Sequence, residues 1–153
     1  MSEATEATLC FVFDDEEVLL IYKKRGTGEG LYNGPGGKVE DEESIKEAAV
    51  RETKEETHIE PIDPEKIGEL DFYFGEEHFM NVHIFKTNEY KGGAQETEEA
   101  RPEWFNTSEI PLDEMWPDDK YWVQMMLDGK QFEGEFFFDE DGDEIREYNL
   151  EEI

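Results

Sequence analysis

An unpaired carboxylate cannot enter an apolar core without a large desolvation cost, and this chain must place 43 of them among 153 residues. Only 14 Lys and Arg oppose them, for a formal net charge of −29. Disorder is one outcome of such a balance. Aromatic content of 13% and strand-like apolar runs argue instead for a folded core under a heavily solvated surface. About 1 M salt shortens the Debye length to ~3 Å and would relieve the self-repulsion, so a salt-loving source is expected. The charge argues against binding a nucleic acid polymer through its phosphates or an anionic membrane surface.

The length suits a single domain. Residues 1–7 are expected to be loose, and residues 8–153 to form the domain. Met1 leads into SEATEAT, with no basic start and no apolar run, so neither signal peptide nor membrane span is expected. Cys10 is the single cysteine, which excludes an internal disulfide and fits a reducing cytoplasm. LCFVF and VLLIY read as strands around the turn DDEE, and KKRGTGEGLYNGPGGK as a glycine-rich loop. SIKEAAVRETKEET reads as a helix opened by a capping box of Ser44 and Glu47. Its apolar side is thin: Ile45, Ala48, Ala49 and Val50, with Thr53. IGELDFYF, FMNVHIFKT and PEWF read as strands. PDDKYWVQMML reads as a second helix with Pro117 in its first turn. QFEGEFFFD and DEIREYNL form a hairpin around DEDGD. The expected fold class is α/β, a mixed β-sheet sandwiched between two main helices.

Glu52, Glu55 and Glu56 sit at i, i+3 and i+4, on one helix face. Like charges at that spacing repel, and a hard cation such as Mg²⁺ would relieve them. Acids fill about 0.28 of all positions, however, so such a cluster recurs by chance in roughly one register of the chain. Adding Gly37 and Arg51 at their spacings lowers that expectation to about 0.002. The pattern Gly37, five residues, Glu43, seven residues, then RETKEETHI resembles the Nudix box, G-x5-E-x7-R-E-U-x-E-E-x-G-U. Thr53 stands where that pattern has an aliphatic residue. His58 stands where it has the glycine that ends the helix left-handed, a conformation His tolerates better than most residues.

The resemblance extends over nearly the whole chain to the oxidised-purine nucleoside triphosphatases, the mammalian-type MutT homologues. The matching pieces are KKRG, NG-x-GGKVE, MNVHIF, ARPEWF, MWPDD-x-YW and FEGEFFF. It implies metal ligation by Glu52, Glu55, Glu56, the Gly36 carbonyl and Glu99. It also implies orientation of a cluster glutamate by Arg51, and base recognition by Asn33, Trp116, Asp118 and Asp119. Glu56 is the candidate that orients or deprotonates the attacking water, and Glu43 a structural partner at the helix start. Read as residues, Trp116 suits stacking on a purine or a place in the core. Asp118 and Asp119 suit solvated helix-start acids, or a closed pair sharing a proton. Asn33 suits a base contact or the N-G turn. Lys23 can meet phosphate or the base side. Thr8 can face the same pocket, and Gly37 and Lys38 belong to the segment expected near the phosphates. Phe72, Met80, Trp122 and Phe138 would be pocket wall or plain core.

The activity implied is Mg²⁺-dependent (Mn²⁺ possible) hydrolysis of purine nucleoside triphosphates such as 8-oxo-dGTP and 2-oxo-dATP, by a monomer. The alternatives are another Nudix substrate, such as ADP-ribose or a dinucleoside polyphosphate, or nucleotide binding without turnover. Thr27 and Pro35 stand where an aromatic is usual, and Tyr32 replaces a tryptophan.

Overall fold

The computed structural model describes residues 4–26, 28–141 and 144–153. Thr27 and the tip of the DEDGD turn lie outside these. Strand β1 (Thr5–Asp14) turns through Asp15, at φ 52°, into antiparallel β2 (Glu17–Lys23). Two short strands follow, β3 (Tyr32–Asn33) and β4 (Gly36–Lys38). Helix α1 (Ile45–Thr57) leads to β5 (Glu60–Pro61), then the antiparallel pair β6 (Glu65–Phe74) and β7 (Glu77–Thr87), then β8 (Tyr90–Lys91) and β9 (Ala100–Asn106). Helix α2 (Asp119–Leu127) precedes the hairpin β10 (Phe132–Phe138) and β11 (Ile145–Glu152). The main sheet runs β11-β10-β6-β7-β1-β2-β3, with β4 beside β1 and β9 beside β2. The β1–β7 and β6–β10 pairs are parallel and the rest antiparallel, so the sheet is mixed.

The two-residue period of β1 assigns its side chains to two faces. Ala7 and Phe11 enter the larger core, where the Phe11 ring meets the edge of Trp122 from α2 at 5.9 Å. Cys10 turns the other way, onto Ala49 of α1 and Phe85 of β7. The α1 contact is made by small residues, and its buried set is Ala48, Ala49, Thr53, Glu56 and Thr57. Val50 is only half-buried. Glu56 is the surprise in that set, an acid on the face that the sequence reserves for alanines. The hydroxyl of Thr53 donates to the Ala49 carbonyl at 2.8 Å, so it enters the core with its polar atom satisfied.

Three expectations are corrected. Thr5, Glu6 and Ala7, expected loose, begin β1 because they pair with Met80, Asn81 and Val82 of β7. GGK, expected in a loop, forms β4, since it bonds antiparallel to Ala7–Leu9. Pro117 precedes α2 rather than opening it. The Trp116 carbonyl accepts the Asp119 N–H in a turn at 3.1 Å, and α2 starts at Asp119. Among the described residues, no helix is long and apolar enough to cross a membrane.

The capping box of α1 is present: Ser44 Oγ accepts from Glu47 N at 3.0 Å, and Glu47 Oε1 accepts from Ser44 N at 2.8 Å. At the other end His58 is left-handed, φ 66° and ψ 12°, with its N–H on the Lys54 carbonyl. Its exposed side chain gains no packing there, so the backbone strain is uncompensated. His58→Gly is expected to stabilise the protein by about 1 kcal/mol, measured as a higher urea midpoint at unchanged m-value.

Candidate active site

Glu56 sits at the junction of α1, β2 and β4. Its Oε1 accepts the Gly36 backbone N–H at 2.9 Å and its Oε2 the Lys23 ammonium at 3.2 Å. The residue is 1% exposed. Burial lifts its pKa to about 7 against the opposing pull of the Gly36 N–H and Lys23. Glu52, one turn earlier, is half-buried and also raised, first by burial, with Arg51 pulling the other way. Arg51 is the hub of the face. Its Nε and Nη2 grip both Glu43 oxygens at 2.7 and 2.9 Å, and its Nη2 also donates to the Lys38 carbonyl. Its Nη1 reaches Glu52 at 2.8 Å and Glu55 at 3.3 Å. The fork onto Glu43 fixes the guanidinium, which in turn fixes Glu52. Arg51 and the Glu40 N–H hold the Glu43 carboxyl down at about 2.

Two glycines make room for this packing. A Cβ on Gly36 would lie 1.8 Å from the Thr8 carbonyl, and one on Gly37 would lie 2.5 Å from the Glu52 carboxyl carbon. Neither glycine has positive φ. What they supply is close approach, between β4 and β1 and between β4 and α1.

A cavity of about 420 Å³ begins at Glu52 and Glu56. Thr8, Lys23, Asn33, Gly36, Gly37, Lys38 and Glu99 also line it. Glu99 is placed by its own backbone, whose carbonyl accepts the Lys24 N–H at 2.9 Å. Trp116, Asp118 and Asp119 line the cavity too, with Phe72, Met80, Trp122 and Phe138 among its apolar walls. Asn33 has both readings, since its Oδ1 accepts the Gly34 N–H at 2.9 Å while the residue lines the cavity. Asp118 is 4% and Asp119 2% exposed. The Trp122 indole donates to Asp118 Oδ2 at 2.8 Å, whereas Asp119 Oδ2 is buried without a partner. Burial raises the pKa of both, and the charge of Asp118 lifts Asp119 further. The indole thus fixes Asp118 Oδ2 as an acceptor, while burial and the neighbouring Asp118 disfavour the ionised form of Asp119.

Glu55 and Arg51 are not on the cavity surface, and Glu55 reaches the site only through Arg51. Pro35 is off the lining as well, with its carbonyl accepting the Cys10 N–H at 2.7 Å. Lining residues that the sequence analysis missed include Ala7, Leu9, Leu70, Phe74 and Val82. The two-residue period could have found Leu70 and Phe74 from Phe72 and Val82 from Met80, whereas Ala7 and Leu9 lie on β1, out of step with Thr8. Phe79 also lines the cavity and does not follow that period.

The Nudix domain matches residues 4–126. The chain belongs to the Nudix family. An oxidized purine nucleoside triphosphate hydrolase of Mus musculus is 42% identical over 154 residues, covering 100% of this chain and 98% of the relative. One of the same description from Danio rerio is 44% identical, covering 95% and 94%. The crystal structure of a mutator MutT protein from Bacillus halodurans superposes with a TM-score of 0.85 at 31% identity, covering 96% of this chain and 97% of that one.

Nudix hydrolases generally use divalent metal ions. The donor set fits one, because the carboxylates of Glu52, Glu56 and Glu99 line one cavity and supply hard oxygen ligands. Gly37 leaves the Glu52 carboxyl its space. As the side chains stand, no three metal-binding residues converge among those described. Lys23 holds Glu56 and Arg51 holds Glu52 and Glu55, so binding a cation would require Glu56 to exchange partners.

The aspartate pair has a signature in stability. The pKa of Asp119 rises above its ordinary 3.8 on folding. The folded state therefore keeps a proton that the unfolded chain releases, and stability falls as pH climbs from about 4 towards the raised folded value. Asp119→Asn removes that dependence. Its stability relative to the parent should rise as pH climbs above about 4 in urea melts, whereas parallel curves would show that Asp119 ionises normally.

Proposed function

We propose that this chain hydrolyses oxidised purine nucleoside triphosphates, such as 8-oxo-dGTP and 2-oxo-dATP, to the monophosphate and pyrophosphate. One observation carries the reading. Among the described residues, only three acids are buried, Glu56, Asp118 and Asp119, and all three line one cavity. One has the chemistry of the phosphate end and two have that of a base reader. The relatives' described activity supports the same assignment.

At the base end, Asp118 accepts and protonated Asp119 donates, a pairing that suits the polar edge of an oxidised purine. Trp116 stacks on the ring, and Asn33 meets the base or sugar from β3. At the phosphate end, Lys23 and Lys38 face the anionic chain, with Thr8, Gly36 and Gly37 beside it. The carboxylates of Glu52, Glu55, Glu56 and Glu99, with the Gly36 carbonyl, would hold Mg²⁺ or Mn²⁺. That ion would supply charge neutralisation and a water of lowered pKa. Glu56 orients the attacking water and takes its proton. Arg51 positions Glu52 and Glu55. The setting is a cytoplasmic monomer that clears damaged nucleotides and needs neither nucleic acid polymer nor membrane. The acid-rich surface suits concentrated salt.

Turnover of 8-oxo-dGTP, 2-oxo-dATP, dGTP and ADP-ribose, with Mg²⁺ in molar salt, tests this. Oxidised purines should lead in kcat/KM, and equal rates on dGTP and 8-oxo-dGTP would refute the sanitising role. Fastest turnover of ADP-ribose would favour the other Nudix chemistry, and tight binding with no turnover a binding module. Glu56→Gln should lower kcat by at least about 100-fold with KM little changed. A variant that keeps the parental rate would remove Glu56 from its role.

A further inference from the structure

Strand β7 loses its alternation at the cavity mouth. Phe72 of β6 pairs with Met80, but the next residue, Tyr73, pairs with His78. Phe79 is therefore an extra residue in the ladder, a bulge that re-aims its side chain. The bulge thereby sets Phe79 beside Met80 on the cavity lining. His78 is occupied elsewhere. Its ring stacks on Tyr73 at 4.6 Å and its Nε2 lies 2.8 Å from Asp71.

The Phe79 ring packs against Phe74 at 4.5 Å, and Phe74 meets Phe138 at 5.8 Å. Phe79 thus ends an aromatic wall that runs into the cavity. It remains 40% exposed. Of the large apolar side chains exposed among the described residues, it is the one on the cavity lining. A phenyl ring supported on one side and open to water on the other is covered only when something flat and apolar lies against it.

We propose that Phe79 is a specificity-determining residue: the bulge presents its ring at the rim, where it covers the outer part of a purine whose polar edge meets Asp118 and Asp119. This rests on the purine nucleotide reading above. The ring contributes to base binding without touching the phosphates, and it favours a planar base over a ligand lacking one.

Calorimetry with 8-oxo-dGMP in EDTA and with inorganic pyrophosphate plus Mg²⁺ tests it, on the parent, Phe79→Ala, Phe79→Leu and Phe79→Trp. Stacking on an aromatic ring predicts that the alanine variant binds 8-oxo-dGMP about 10-fold more weakly. The leucine variant, apolar but not aromatic, should lose at least about 3-fold and the tryptophan variant less than that. Pyrophosphate affinity should stay within about 2-fold throughout, and turnover of 8-oxo-dGTP should fall through KM. An alanine variant within about 2-fold of the parent for 8-oxo-dGMP would overturn the role of Phe79 and leave the proposed activity standing. Equal losses for both ligands would reduce Phe79 to a structural residue. A parent that binds no purine nucleotide would overturn the activity and this role together.

Discussion

The burial of the Glu56 carboxylate governs the arrangement of the site. An ionised carboxylate at 1% exposure is tolerable only with partners, and it has two, the Gly36 N–H and the Lys23 ammonium. Those partners dictate much else. Gly36 must lie against α1, so β4 must pair closely with β1, and no side chain fits between Gly36 and the Thr8 carbonyl. Lys23 must end β2 pointing inward, which brings β2 and the Glu99 segment to the same place. Without the Lys23 ammonium the carboxyl would take up a proton more readily still, since burial already lifts its pKa to about 7.

A second pair of buried acids repeats the logic with a different solution. Asp118 has the Trp122 indole as a donor, while Asp119 has no protein partner for Oδ2 and its pKa is pushed up by burial and by Asp118. The tryptophan that anchors Asp118 also packs on Phe11 and Phe132, which ties the start of α2 to the core. An unpaired buried polar atom of this kind discriminates strongly in favour of a ligand that satisfies it.

Much of the fold was legible because its signals are local. The apolar runs at 9–13, 18–22, 67–74 and 79–87 are strands, and Ser44 with Glu47 caps α1. Arg51 meets Glu52 of the cluster, as the resemblance implies, and grips Glu43 as well, and His58 takes the left-handed cap. The errors are equally physical. Thr5–Ala7 and Gly36–Lys38 lack strand-like composition and become strands because β7 and β1 offer them partners. Phe79 departs from the period of its strand because a bulge intervenes.

The sequence by itself determined the long strands, the presence of both helices, the ends of α1 and the box that names the family, since each depends on residues within a few positions of one another. It could not determine which of 43 acids leave water. Desolvation belongs to no residue and no spacing. It arises only when β1, β2, β4, β6, β7 and both helices close around a point, and that closure selects Glu56, Asp118 and Asp119 from a surface of chemically identical carboxylates.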